Sequence, residues 1–175
     1  MPLTTFPQLT TKRLLLRQTT QFDVDAILFL RSDPAVNQYI NRKTPSNRQD
    51  ATAFFEKVNN HFKEQVTIYW AITLQGTTQM VGSICLWNFS SDRSSAEMGY
   101  DLKPDFQGKG IMTEALNCVC DFGFNLLGLV EITAFTHRQN APSKRLLLKN
   151  NFILAPEGVD ADNANNILFK RTKDN

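Results

Sequence analysis

The segment Gln107-Gly108-Lys109-Gly110-Ile111-Met112-Thr113 is where residue type and spacing point most directly to chemistry. Two glycines precede an apolar-periodic run that reads as a helix, with Met112, Ala115, Leu116, Val119, Phe122 and Leu126 near one face. A glycine loop that opens a helix points several backbone N–H groups at one place, and the helix dipole favours negative charge there. The segment therefore reads as a site for a phosphate or pyrophosphate. It is not a P-loop, because Gly110 follows Lys109 where a Ser or Thr is needed to reach Mg²⁺. It is not a Rossmann loop either, because Thr113 stands where the third glycine belongs and the βαβ repeats are missing.

A third pattern fits. Gln107 to Met112 resembles the Q/R-x-x-G-x-G/A signature of the GNAT superfamily of N-acetyltransferases. The preceding Glu97-Met98-Gly99-Tyr100 and the following Thr113-Glu114-Ala115-Leu116 resemble its RimJ/RimL-type subfamily, whose members acetylate N-terminal α-amines of proteins and whose relatives act on small amines. The resemblance implies that the loop grips the pyrophosphate of acetyl-coenzyme A, with Gln107, Gly108, Lys109, Gly110, Ile111, Met112 and Thr113 as the cofactor-binding segment. Met112 departs from the last Gly/Ala of the signature, and the subfamily is similar in carrying larger residues there. The resemblance also implies a bulge in the strand Met98 to Leu102, which frees backbone groups from the ladder. The pantetheine arm then pairs with the main chain near Tyr100 and Leu102, and an N–H near Tyr100 polarises the thioester oxygen.

Acetyl transfer to an amine needs a base, and the resemblance places it on this strand, where Glu97 is the candidate. The plain alternative is a solvated glutamate on a half-buried strand. A tyrosine that protonates the leaving thiolate is common on a later helix in this superfamily, but none lies between Asn140 and Asn151. The Asn140-x-x-Ser143 pattern is similar to that of the RimJ/RimL-type group, which assigns Ser143 this role and Asn140 a contact with pantetheine. Both also read as ordinary helix-start residues, Asn140 as an N-cap and Ser143 as a first-turn serine bonding its own backbone. Lys109 stands above Lys144 and Arg145 as a phosphate contact because it lies inside the loop. Trp87 and Phe89 are candidates to line an amine pocket, Trp70 reads as core, and Asn37 to Pro45 is expected to form the other wall.

The elements that must position these groups are legible from periodicity. Lys12 to Arg17 reads as a first strand, and Thr20 with Asp23 as a helix start. A short helix follows and breaks at Asp33-Pro34. Ser46 with Gln49 predicts a capping box for a helix carrying Ala51, Phe54, Phe55, Val58 and Phe62. Alternation at Ile68, Trp70, Ile72 and Leu74 predicts a strand, Met80 to Phe89 its return, and Ala96 to Leu102 a third, which makes an antiparallel meander. A strand over Leu129 to Thr136, a helix over Ala141 to Asn150 and a strand over Asn165 to Arg171 complete the order, with room for one extra strand near Phe152. This is an α/β order. It matches the GNAT fold, in which a mixed central sheet with an antiparallel N-terminal meander and splayed parallel strands at the cofactor cleft is flanked by helices.

Size and charge narrow the rest. The 175 residues suit a single domain, 1–175. The 19 Lys and Arg against 17 Asp and Glu, with no long basic run, argue against nucleic acid as the main partner. No long apolar stretch or signal-peptide core is present, so a cytoplasmic protein without membrane attachment is expected. Cys85, Cys118 and Cys120 lack a metal spacing and read as reduced packing residues, and no metal is expected. The expected activity is transfer of acetyl from acetyl-CoA, as co-substrate, to a protein N-terminus or small amine in a ternary complex, since no cysteine is placed to carry an acyl group. The alternative from another class is a non-catalytic acyl-CoA sensor. If the chain self-associates, a homodimer is the commonest form.

Overall fold

Alternating apolar strands and amphipathic helices come together in a computed structural model that describes residues 3–173 and joins eight strands in one sheet. They are β1 (Leu9–Thr10), β2 (Leu14–Gln18), β3 (Ile68–Leu74), β4 (Met80–Trp87), β5 (Ser95–Leu102), β6 (Glu131–His137), β7 (Ile153–Ala155) and β8 (Asn166–Thr172). Their order across the sheet is β1-β2-β3-β4-β5-β6-β8-β7. Every neighbouring pair is antiparallel except β5 and β6. The helices are α1 (Val24–Ser32), α2 (Pro34–Asn37), α3 (Arg48–Lys63), α4 (Ile111–Asn125) and α5 (Ala141–Lys149). The expected meander and splayed parallel pair are present, and β7 supplies the extra strand near Phe152. The two-residue β1 is too short to show a period in sequence.

Helices cover both faces of the sheet, so β3 is buried on both sides rather than on alternate residues alone. Ile68, Trp70 and Ile72 join the core beneath α4 and α5, with Ala115, Leu116 and Leu147. Tyr69 and Ala71 join a second core beneath α1 and α3, with Val24, Ile27, Leu30 and Val58. Trp70 is fully buried and donates its indole N–H to the Pro7 carbonyl at 2.7 Å, so the polar end of the largest core residue is satisfied.

Three local expectations shift. The N-cap of α3 is Asn47, whose side chain accepts from the Asp50 N–H at 3.0 Å, while the Asp50 carboxylate takes the Ser46 N–H. Asn is a strong cap, and it displaces the Ser46–Gln49 box by one residue. Leu126 is 75 % exposed, because α4 ends at Asn125 and the chain turns away through Gly128 before a further apolar turn can form. Strand β4 stops at Trp87 because Asn88 adopts a left-handed φ of 49°.

The expected bulge in β5 is absent. Its register with β4 runs unbroken from Gly82↔Leu102 to Trp87↔Glu97. The irregularity lies one strand away, where Ile72 faces Gly82 and Thr73 faces Met80, leaving Val81 as the extra residue of β4. Gly82 sits at this point against β5, where a Cβ atom would stand 2.6 Å from the Asp101 carbonyl oxygen. That neighbour is backbone and cannot swing aside. Gly82→Ala is expected to destabilise the protein by about 1–3 kcal/mol, as overpacking does. Urea unfolding should show a lower midpoint at unchanged slope.

Candidate active site

Strands β5 and β6 pair only over Ser95–Glu97 and Glu131–Thr133. Beyond that point β5 continues to Leu102 beside β4, and β6 continues to His137 beside β8. In an antiparallel ladder, hydrogen-bonded and non-bonded pairs alternate. The Lys103 N–H bonds the Val81 carbonyl at 2.9 Å, which assigns the odd-numbered residues of β5 to the bonded pairs with β4. Tyr100 and Leu102 therefore direct their backbone N–H and C=O groups, and Met98 its C=O, toward the space that β6 leaves, while the Glu97↔Thr133 pair takes up the Met98 N–H. The divergence of β6 frees them, with no bulge required. The Leu102 carbonyl is met by the Gln107 side-chain amide at 2.9 Å, which gives Gln107 a role in shaping the loop.

The glycine loop follows directly. Gly108 and Gly110 have φ of 71° and 74°, the left-handed region that glycine enters without steric cost. Gly110 is the N-cap of α4 and supplies no capping side chain, whereas Asn47 and Asn140 cap α3 and α5. Among the described residues, the backbone N–H groups of 108–113 meet no protein acceptor. A 15-residue helix thus presents uncapped donors and the positive end of its dipole to one exposed spot. The side chains of Ile111 and Met112 turn into the core and Thr113 is half-buried, so this segment offers an anion mainly its backbone. Lys109 is exposed, its ammonium 5.9 Å from the centre of the Phe106 ring.

The loop is held from the turn between β1 and β2. Arg13 donates to the Lys109 carbonyl at 2.9 Å and to Glu114 at 2.6 Å, and Glu114 also accepts from the Arg13 backbone and the Thr11 hydroxyl. Nothing local in the sequence signals this clamp, since Arg13 and Glu114 lie 101 residues apart.

Side chains alternate across a strand, so the two faces of the opening differ. On the α1/α3 side stand Glu97 and Asp101, with Gly99 between them. Glu97 is the last residue of β5 paired to β6, opposite Thr133, and its antiparallel neighbour is Trp87, which is 42 % exposed. Burial pushes the Glu97 carboxyl up to about 7, against a long 3.4 Å hydrogen bond from Asn88 and with the nearby Asp160 charge adding to the rise. Thr133, Phe135 and His137 of β6 share this face and are half-buried. The chain between α2 and α3 crosses above. Tyr39 stacks on His137 with ring centres 5.5 Å apart, and Arg42 binds the Asp101 carboxylate at 3.1 Å. Asp101 is buried and also accepts from the Ser83 hydroxyl at 2.5 Å. The expected second wall from Asn37 to Pro45 is thus tied to both diverging strands.

On the α4/α5 side, the Tyr100 hydroxyl and Ser143 Oγ are 2.8 Å apart. Burial pushes the Tyr100 phenol up to about 12, against the bond to Ser143. The Asn140 side chain accepts from the Ser143 N–H at 3.1 Å and so acts as the N-cap of α5. The structure therefore brings Glu97, Tyr100, Ser143 and Trp87 around one opening. Phe89 is not brought there: it packs against the main core, with the Arg93 guanidinium 4.1 Å above its ring. A concavity of about 670 Å³ between α1 and the start of β4 lies elsewhere and contains none of these groups. Among the described residues, no cluster of His, Cys, Asp and Glu is arranged to hold a metal ion, and no helix is long and apolar enough to cross a membrane.

Residues 13–153 match the family model of the acetyltransferase (GNAT) domain. The chain belongs to the GNAT acetyltransferase family. It is similar to the uncharacterized N-acetyltransferase YoaA of Bacillus subtilis (strain 168), with 32 % identity over 154 residues, covering 88 % of this chain and 86 % of the relative. It is also similar to the uncharacterized N-acetyltransferase p20 of Bacillus licheniformis, with 30 % identity over 152 residues, 87 % and 84 % of the two chains. Among solved structures, RimL, a ribosomal L7/L12 alpha-N-protein acetyltransferase in complex with coenzyme A, shares the fold at a TM-score of 0.82 and 16 % identity, covering 95 % of this chain and 98 % of that one. The ribosomal-protein-S5-alanine acetyltransferase from Vibrio fischeri aligns at a TM-score of 0.79 and 19 % identity, over 97 % and 98 %. This GNAT protein is accordingly an acyltransferase of RimJ/RimL-like fold.

The Arg42–Asp101 pair yields a test of the wall. Arg42→Ala leaves a buried carboxylate without its cation, which costs about 3–5 kcal/mol when such a pair is broken. The double variant with Asp101→Asn should recover part of that stability in denaturant melts, because it removes the stranded charge.

Proposed function

We propose that this GNAT protein transfers the acetyl group of acetyl-CoA to a primary amine by direct attack in a ternary complex, with residues 1–175 acting as one catalytic domain. The observation that carries the reading is the uncapped N-terminus of α4 beside the unpaired backbone edge of β5. The donors of 108–113 suit a pyrophosphate, and the Met98 C=O, the Tyr100 N–H and C=O and the Leu102 N–H suit the amides of a pantetheine arm. Asn140, Gln107 and Thr113 border that path. Bound acetyl-CoA supplies the activated acyl carbon.

The protein's own part is to hold the amine, take its proton and stabilise charge. The amine nitrogen attacks the thioester carbon, the N–H proton passes to Glu97, directly or through a water, and the C–S bond breaks with its electron pair leaving on sulfur. The Tyr100 N–H is placed to support the oxyanion. Trp87 borders the amine on the open side.

The acceptor we favour is an α-amine. A base near pH 7 takes a proton readily from an α-ammonium of pKa about 8, and far less readily from an alkylammonium of about 10.4. The two ribosomal-protein acetyltransferases of like fold point in the same direction.

Calorimetry with acetyl-CoA, and with coenzyme A for comparison, tests the cofactor site first. Micromolar binding is expected, weakened at least tenfold by Gly110→Val, which strains a φ of 74°. No binding at millimolar ligand by the unaltered protein removes the reading. Glu97→Gln should bind acetyl-CoA normally and lose about 10²–10⁴ in kcat, the usual contribution of a general base. Its rate should also lose the limb that rises through pH 7 in the parent enzyme.

The same carboxyl predicts a stability effect of opposite sign. Its folded-state pKa lies above the ordinary glutamate value of about 4.5, so its contribution is fully present below that value and is lost as pH rises through about 7. Glu97→Gln should therefore be the more stable protein at pH 8, and thermal melts across this range should show the difference vanish toward pH 4.

A further inference from the structure

We propose that the Tyr100 hydroxyl positions Ser143, the residue that the family resemblance sets beside the coenzyme sulfur, and that the pair holds that sulfur as a thiolate. The inference rests on the acetyl-CoA reading above and goes beyond it by assigning the Tyr100 side chain.

The two hydroxyls come from separate elements, β5 and the first turn of α5, and meet at 2.8 Å where the backbone of β5 faces the opening. Each hydroxyl has one proton to give. The Ser143 N–H is already spent on Asn140, which fixes the turn that carries the serine. Among the described residues, neither hydroxyl has any hydrogen-bond partner except the other. If Tyr100 donates to Ser143 Oγ, the serine proton is left over and points elsewhere. Burial keeps the phenol protonated through the neutral range, so Tyr100 is a lasting donor. A donated bond polarises the acceptor hydroxyl and makes its own proton a better donor. Ser143 also stands at the N-terminal end of a nine-residue helix, whose dipole favours an anion there.

A thiolate is the anion the reaction produces at this point. When the C–S bond breaks, the electron pair stays on sulfur, and the Ser143 O–H can bond to it without surrendering the proton. The amine's proton leaves separately through Glu97. No further acid or base is needed for the step to balance.

The test is a pH titration of coenzyme A bound to the protein, followed by thiolate ultraviolet absorbance. A free thiol titrates near 8.5. The bound thiol is expected at least one pH unit lower. Tyr100→Phe and Ser143→Ala should each return it most of the way, the double variant should add little, and Ser143→Thr should keep the lowered value. With Tyr100→Phe, kcat should fall about tenfold, the scale of one lost hydrogen bond, while coenzyme A affinity at pH 6 stays within threefold. An unshifted bound thiol, or one that stays lowered in Tyr100→Phe, overturns the pair while leaving the acetyl-CoA reading intact. Failure of the unaltered protein to bind coenzyme A overturns both.

Discussion

Strand β6 keeps its parallel partner for three residue pairs and then leaves it, and a sheet cannot do this without exposing unpaired main-chain groups of β5 in its own middle. Unmet backbone groups cost about 1–3 kcal/mol each when they are also denied water. The structure confines that cost to one side of each strand. β5 keeps an unbroken ladder with β4, and all seven residues of β6 pair with β8. The two strands remain rigid while the space between them stays available. An interior sheet edge of this kind accepts any extended chain that carries amides at suitable spacing, which is the logic by which peptides add to open edges.

Because side chains alternate along β5, the opening separates two kinds of chemistry. Glu97 and the aromatic groups of Trp87, Tyr39 and Phe135 lie on the α1/α3 side, while Tyr100 and Ser143 lie on the α4/α5 side. A flat, fully paired sheet would insulate these sets from one another. The opening leaves both sets bordering one space. The α4 loop sits at the far end of the same opening, since the chain passes from Leu102 to Gly108 through one short 3-10 turn.

The parts legible in sequence were those whose signal is local. The glycine pair ahead of a periodic helix, the alternation in the meander and the Asn140–Ser143 helix start each depend on residues a few positions apart. What could not be read depends on partners brought together by the fold. Arg13 and Glu114, Arg42 and Asp101, Tyr39 and His137, and Tyr100 and Ser143 are each separated by dozens of residues, and neither partner is unusual alone. The absent bulge is instructive in the same way. Freed backbone groups on β5 were anticipated from the resemblance, but their physical source is the departure of a neighbouring strand, which β5's own residues do not encode. Phe89 shows the converse. A continued alternation would set it beside Trp87, but the left-handed turn at Asn88 ends the alternation and sends it to the core.

Two carboxylates share the α1/α3 face of β5, and their surroundings differ. Asp101 accepts from Ser83 on one oxygen and from two nitrogens of Arg42 on the other, so its lone pairs are committed and its charge is matched. These bonds tie the α2–α3 connection over the opening. Glu97, four residues earlier, has one long bond from Asn88 and no cation within ion-pair distance among the described residues. It is half-buried, so its charged form is disfavoured without being forbidden. A carboxyl in that position lacks the ties that fasten Asp101 and gives little to stability. The strand thus uses one acid to fasten the wall and leaves the other unfastened at the edge of the opening.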